Sequence, residues 1–270
     1  MTVREAAEII LGSKKYSGMD RAVAERICAE KISGYKKPDE IIKSVKNELH
    51  IINESFLPSG CHKKAQALLD NYRGDLAADR EFAVRLMELH ASTKERLGEV
   101  SEIYASLGRY IEAKDVVYDL GCGFGPFALP FYPEKPNKYF AFDINTNTVE
   151  ILESYFSKVS LDYHAQVLDA AVQNPDAGGS VLLMLKLFPL LEHQKKGRSF
   201  EIIKSAGCSK IVVSFPTKSA SGREKGMEAF YSAQFEENLP QGLVIAEKKI
   251  FKNEMFYFIK LTPKKLTPGY

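Results

Sequence analysis

Residues 114–125 read KDVVYDLGCGFG: a run of apolar strand formers that ends on Asp119-Leu120 and passes at once into three alternating glycines. Glycine after a buried strand lets the backbone turn tightly and approach a ligand closely. The chain differs on the two sides of this point. Toward the C-terminus, KYFAFD (138–143), DYHAQVLD (162–169), SVLLMLK (180–186) and SKIVVSF (209–215) are short apolar runs of strand length. Val149, Leu152, Phe156 and Val159 mark an intervening helix, with Asn147 as the expected N-cap. LVIAEKKIF (243–251) and EMFYFIKL (254–261) read as a hairpin with a tight turn at Lys252 to Glu254. Strand–helix alternation closed by a hairpin predicts an α/β fold with a mostly parallel sheet and an antiparallel edge.

Toward the N-terminus no strand-like run occurs. Val3, Ala6, Ala7 and Ile10 recur at helical spacing, as do Ala24, Ile27 and Cys28. Ile42, Val45, Leu49, Ile52 and Phe56 form a longer stripe that stops before Pro58, with Pro38 in its first turn. Leu97, Val100, Tyr104 and Leu107 form another. The expected division is a helical segment over 1–108 and a sheet domain over 109–270.

Composition sets the outer limits. The 270 residues are 45% hydrophobic and 27% charged, as in an ordinary globular protein with a real core. A net charge of +2 excludes a global polybasic argument, so any basic surface must come from local clustering. Cys28, Cys61, Cys122 and Cys208 show neither a CxxC nor zinc spacing, which points to free thiols in a reducing cytoplasm and no metal. The longest apolar run is broken by Lys186 and Pro189 and is too short to span a bilayer; no secretory signal is visible.

The glycine loop has two readings, a dinucleotide oxidoreductase or an S-adenosylmethionine (SAM) methyltransferase. The second fits better. The spacing is G-x-G-x-G, and Asp119 stands two residues before Gly121, where an acceptor for a methionine amino group is needed. Asp143 ends the second strand, where a ribose hydroxyl pair needs an acceptor, and Asp169 ends the third, where an adenine amino group is read. No Walker A lysine pattern is present.

A second feature interrupts the helical half. In MELHASTKERLGEV (87–100), His90, Ser92, Thr93 and Arg96 fall between apolar positions. Ser92-Thr93-Lys94-Glu95 fits a capping box, so a helix is expected to restart there, offering free N–H groups to a carboxylate with Arg96 as a forked donor. The alternative is an ordinary cap with a surface salt bridge.

LHASTKERL (89–97), DLGCGFGPFALP (119–130), KLFPLLE (186–192) and SFPTKSASGREKGMEA (214–229), together with SKKY (13–16), resemble the aminoglycoside-resistance 16S rRNA (guanine-N7) methyltransferases of the Arm/Rmt/Sgm type. The likeness runs over nearly the whole chain. It implies a class I SAM-dependent methyltransferase, Rossmann-like, with a seven-stranded sheet and a helical N-terminal domain that docks on the 30S subunit. It further implies transfer to guanine N7 in the decoding-site helix of 16S rRNA. Carried over, it puts His90, Ala91, Ser92 and Arg96 around the methionine end of SAM, Gly121 beneath it and Asp143 at the ribose. Asp169 and Ala170 would frame the adenine, and Leu185, Gln194 and Phe56 would complete the pocket. The chain departs from the family's usual Asn at Gly125 and from its Asn-Tyr at Phe230-Tyr231.

Guanine N7 carries a free lone pair, so methylation there releases no proton and needs positioning rather than a general base. No NPPY-type motif follows the fourth strand and no Pro-Cys pair offers a covalent route. Lys218, Arg223 and Lys225 are expected to grip phosphates, and Phe230 or Tyr231 to stack on a displaced base. Lys14, Lys15, Lys36, Lys37, Lys63 and Lys64 are candidates for a shared RNA surface. Glu228 either orients the guanine or pairs with Lys225 one turn away; Lys186 is expected at the pocket mouth. Rival readings are a SAM enzyme for another rRNA position or a small molecule, and a non-catalytic SAM-binding assembly factor. A monomer is expected.

Overall fold

The computed structural model describes residues 1–176, 178–218 and 227–262, with the side chains of Glu54 and Met227 left aside. The helical half holds α1 (Val3–Leu11), α2 (Arg21–Ile32), α3 (Pro38–Ile52), α4 (Cys61–Asn71), α5 (Arg80–Met87), the single turn α6 (Ala91–Lys94) and α7 (Val100–Gly108). The sheet half runs β1 (Val116–Leu120), β2 (Lys138–Asp143), α8 (Thr146–Phe156), β3 (Asp162–Val167) and β4 (Val181–Leu185). It continues through α9 (Phe188–Gln194), α10 (Arg198–Ser205), β5 (Lys210–Pro216), α11 (Met227–Glu237), β6 (Leu243–Ile250) and β7 (Glu254–Leu261).

The seven strands lie in the order β3-β2-β1-β4-β5-β7-β6. The first five are parallel and β7 is antiparallel to both of its neighbours, the sheet that the strand runs and the terminal hairpin predict. The order reverses between β1 and β4, which opens a crevice at the carboxyl ends of the parallel strands. The hairpin turn is closed by Phe251 N–H donating to Glu254 C=O at 2.9 Å.

Strand side chains alternate between two cores. Val117, Leu183, Val212, Phe256 and Phe258 face a layer made by α4, α5, α7 and α8. Tyr118, Leu120, Leu182, Met184, Val213 and Tyr257 face α9, α10 and α11. Helices α1–α3 enclose a third core of their own, around Ile10, Ile27, Val45 and Leu49. So α4–α7 share the sheet's core, whereas α1–α3 form a separate body. That body meets the sheet along a short seam: Met19 bridges Asn145, Asp20 N–H reaches Ile144 C=O at 3.2 Å, and Thr146 N–H reaches Gly18 C=O at 2.7 Å.

Two local expectations are corrected. Asn145, not Asn147, caps α8, its side chain accepting from Thr148 N–H at 3.2 Å. The helix restart falls at Ala91 rather than Ser92, with His90 at the N-cap and no capping side chain. Thr93 Oγ1 instead donates back to the carbonyls of Met87 and His90, at 2.6 and 3.2 Å. The Met87 carbonyl lies at the end of α5 and the His90 carbonyl at the start of α6, so the hydroxyl ties the two across the break.

Candidate active site

The crevice at the ends of β1, β2 and β4 deepens into a cavity of about 870 Å³, its open mouth included. Asp119 on β1 and Asp143 at the end of β2 line it, as does Asp169 just beyond β3. Gly121 and Gly123 carry φ of 60° and 50°, in the left-handed region where glycine is unstrained. A Cβ on Gly121 would stand 2.7 Å from a Leu187 methyl, and one on Gly123 2.8 Å from His90 Nε2. These two glycines therefore form the cavity floor by keeping the backbone close to its neighbours.

The carboxylates are held differently. Asp143 accepts from Gly123 N–H and Asn145 N–H, both at 2.9 Å. Burial raises its pKa, and these amides work in the opposite direction. Among the described residues Asp119 accepts only from Tyr139 Oη, at 2.6 Å, and burial lifts it to about 7. His90 is 7% exposed, its Nδ1 has no partner among the described residues, and burial lowers it to about 3, so the ring is neutral. It lies between Phe124 and Phe56, at 5.3 and 6.1 Å between ring centres.

Arg96 also lines the cavity, but Glu254 holds it from behind, with Nε and Nη2 on the two carboxylate oxygens at 2.7 and 2.8 Å. Burial works against the charge of Glu254, yet Arg96 and Lys186 outweigh it and hold the carboxyl below its usual range. Lys186 adopts φ 60°, unusual for a residue with a side chain, and anchors its N–H on Ser214. Its ammonium pairs with Glu95 and stands 3.8 Å from Glu254. Lys186 thus belongs to a buried network at the cavity wall.

Of the expected cofactor residues, the fold gathers Phe56, His90, Ser92, Arg96, Asp119, Gly121, Asp143, Asp169, Ala170, Leu185 and Gln194 around this one cavity. Ala91 begins α6 and does not line it. Phe56 arrives on a 3₁₀ turn, Glu54–Phe56, so the stripe of α3 continues into the wall. Sequence reasoning missed Ile52, Asn53, Ile144 and Leu187 in the lining, and missed Arg26 and Glu254 altogether. Glu254 left a trace, an acid heading an apolar strand. Arg26 left none, because its partner Asp169 lies 143 residues away.

The RNA candidates are dispersed. Lys14 and Lys15 share a surface cleft with residues 57–62, Asn145 and Asn147, and Lys63 and Lys64 follow directly on α4. Lys36 and Lys37 sit at the opposite end of α2, a helix about 18 Å long. Lys218 lies just past β5, whereas Arg223 and Lys225 lie outside the described residues. Glu228 lies in the first turn of α11; its alternative partner Lys225 is among the residues not described. Phe230 is 62% exposed, but Tyr231 is stacked on Phe215 at 5.1 Å, so of the two only Phe230 presents an open ring.

This sheet order and this cavity define a class I, SAM-dependent methyltransferase fold. Within that class, the chain belongs to the FmrO family of ribosomal RNA methyltransferases, which matches residues 12–258. It is 32% identical to the 16S rRNA (guanine(1405)-N(7))-methyltransferase of Serratia marcescens, over 96% of this chain and 99% of that one. It is 30% identical to the enzyme of the same name from Micromonospora echinospora, over 96% of both. The crystal structure of the 16S rRNA methyltransferase RmtF with S-adenosyl-L-homocysteine superposes with a TM-score of 0.88 at 28% identity, covering 96% of this chain and 98% of that one. The 16S rRNA methylase RmtB gives 0.82 at 28% identity, covering 97% and 99%.

Proposed function

We propose that this protein transfers the methyl group of SAM to N7 of a guanine in 16S rRNA, at the position named for its relatives, within the 30S subunit. The observation that carries this is the ring of three strand-end carboxylates over the glycine floor, in a chain of that family along nearly its full length. The donor set suits SAM. Asp119 meets the methionine ammonium, Asp143 keeps lone pairs for ribose hydroxyls, and Asp169 faces the adenine side. His90 Nδ1, buried and unpartnered, is left to bond the donor. Arg96 and the first N–H groups of α6 suit its carboxylate.

SAM supplies an electrophilic methyl on a positively charged sulfur. The residues bind, orient and exclude water; no side chain must take a proton, because guanine N7 attacks with a lone pair. The neutral His90 and the self-satisfied Glu254–Lys186 network agree with a site that has no general base. Phe230 stacks on the target base, Glu228 orients it, and Lys218, Arg223 and Lys225 hold the flanking phosphates. Lys14, Lys15, Lys63 and Lys64 form one docking patch on the helical segment, with Lys36 and Lys37 on a second. The reaction belongs in the cytoplasm, where 30S subunits are, and a monomer suffices for it. Among the described residues no helix is long and apolar enough to cross a membrane.

The test is purified protein with labelled SAM on 30S subunits, free 16S rRNA and small molecules. N7-methylguanine is then mapped by borohydride/aniline cleavage and primer extension. One modified guanine in the decoding-site helix, on 30S subunits, is expected, with raised aminoglycoside tolerance in a susceptible host that expresses the protein. SAM binding without methyl transfer, or transfer only to small molecules, overturns the proposal.

A further inference from the structure

A side chain from α2 of the N-terminal body backs the cofactor wall. Arg26 on α2 places Nε 2.6 Å from Asp169 Oδ2, and Nη2 3.3 Å from Oδ1 and 2.8 Å from Gln194 Oε1. Its Nη1 is held by Glu30 at 2.9 Å, and the side chain is 15% exposed. A guanidinium only donates, so the Gln194 amide must turn its oxygen to Arg26. The amide nitrogen then faces away. One of its protons goes to Leu190 C=O at 3.2 Å and the other remains for a ligand. Asp169 is fixed in the same way, with Ala171 N–H on Oδ1 at 3.1 Å, and Oδ2, which takes only Arg26 Nε, keeps acceptor capacity.

We infer that Arg26 is a positioning residue of the adenine subsite, orienting the Asp169 carboxylate as its acceptor and turning the Gln194 amide to serve as its donor. This rests on the SAM reading above. That pair matches a 6-aminopurine, which donates from its amino group and accepts at N1. It opposes a 6-oxopurine, which accepts at O6 and donates from N1. Without Arg26 the amide of Gln194 is free to flip and offer its oxygen to an N1–H, while the Asp169 carboxylate, an acceptor in any rotamer, loses its fixed orientation, so the site distinguishes the two less well. Because Arg26 rides on α2, the same contact also joins the N-terminal body to the adenine end of the site.

Calorimetry with S-adenosylhomocysteine and S-inosylhomocysteine tests this on the full chain. The wild-type protein is expected to prefer the adenosyl ligand at least about tenfold. Arg26→Ala is expected to weaken that ligand several-fold and leave the inosyl ligand nearly unchanged, so that the preference shrinks. Arg26→Lys, which keeps the charge and loses the fork, should fall between. The KM for SAM should rise while kcat at saturation stays. An unchanged preference in either variant, including equal weakening of both ligands, overturns the inference. Failure of the wild-type protein to bind S-adenosylhomocysteine overturns the SAM reading instead.

Discussion

Asp119 is 2% exposed and held by one hydroxyl, and its carboxyl sits near 7 where an unfolded chain would have it near 4. The folded state therefore keeps a proton that the unfolded state has lost. The corresponding stability is full below the unfolded value and lost as pH rises through about 7. A methionine ammonium favours the ionised form, so donor binding below pH 7 releases this proton. S-adenosylhomocysteine affinity is expected to climb by up to about tenfold per pH unit below 7 and to level off above it. Calorimetry across pH checks this, and Asp119→Asn should flatten the climb and bind weakly throughout. Gly125 has ordinary backbone angles, and a Cβ there would lie 3.4 Å from Asp119 Oδ2. Gly125→Asn, the family's usual residue, should fold and stabilise the charged carboxylate by donating to it, shifting the climb to lower pH. The offset of Asp119 from the glycines was legible in the sequence. Its poise near neutrality was not, because burial and the Tyr139 contact arise only when β2 pairs with β1.

At the scale of elements, the Arg96–Glu254 pair fastens the helical break after α6 to the first residue of β7. Both side chains are under 5% exposed, so deleting one strands a buried charge on the other. Arg96→Ala is expected to cost about 3–5 kcal/mol in urea unfolding. An apolar double replacement, Arg96→Met with Glu254→Leu, should recover much of it while donor binding stays impaired. Since Arg96 and Lys186 hold Glu254 below its usual range, its contribution is present above the unfolded pKa and disappears as pH falls through the folded one; Glu254→Gln should blunt that acid limb. Strands were the readable elements, because apolar runs bounded by polar breaks survive any tertiary context. Caps were less so. Asn145 and Asn147 are both plausible in composition, and the seam with Gly18 places the exit of β2 so that Asn145 starts α8. Thr93 reads as part of a capping box until the Met87 carbonyl at the end of α5 claims its hydroxyl.

For the whole molecule, helical stripes announce which residues are buried but not against what. Hence nothing in the sequence separates α1–α3, with their own core, from α4–α7, which share the sheet's. The cavity spans that division: Ile52, Asn53 and Phe56 face the sheet-end carboxylates across it. Ligand binding should therefore slow amide exchange at the end of α3 and around Arg26 as well as in the glycine loop. Exchange measured with and without S-adenosylhomocysteine checks this, and protection confined to the loop would contradict it. The buried guanidinium of Arg96 has a last consequence. Its counter-charge lies 158 residues downstream, in the final hairpin. During synthesis, Arg96 emerges from the ribosome long before Glu254 does. Until then the break after α6 carries an uncompensated cation and cannot close over its hydrophobic neighbours. Completion of the cavity wall around Arg96 therefore waits on β7, the last of the described strands to be made.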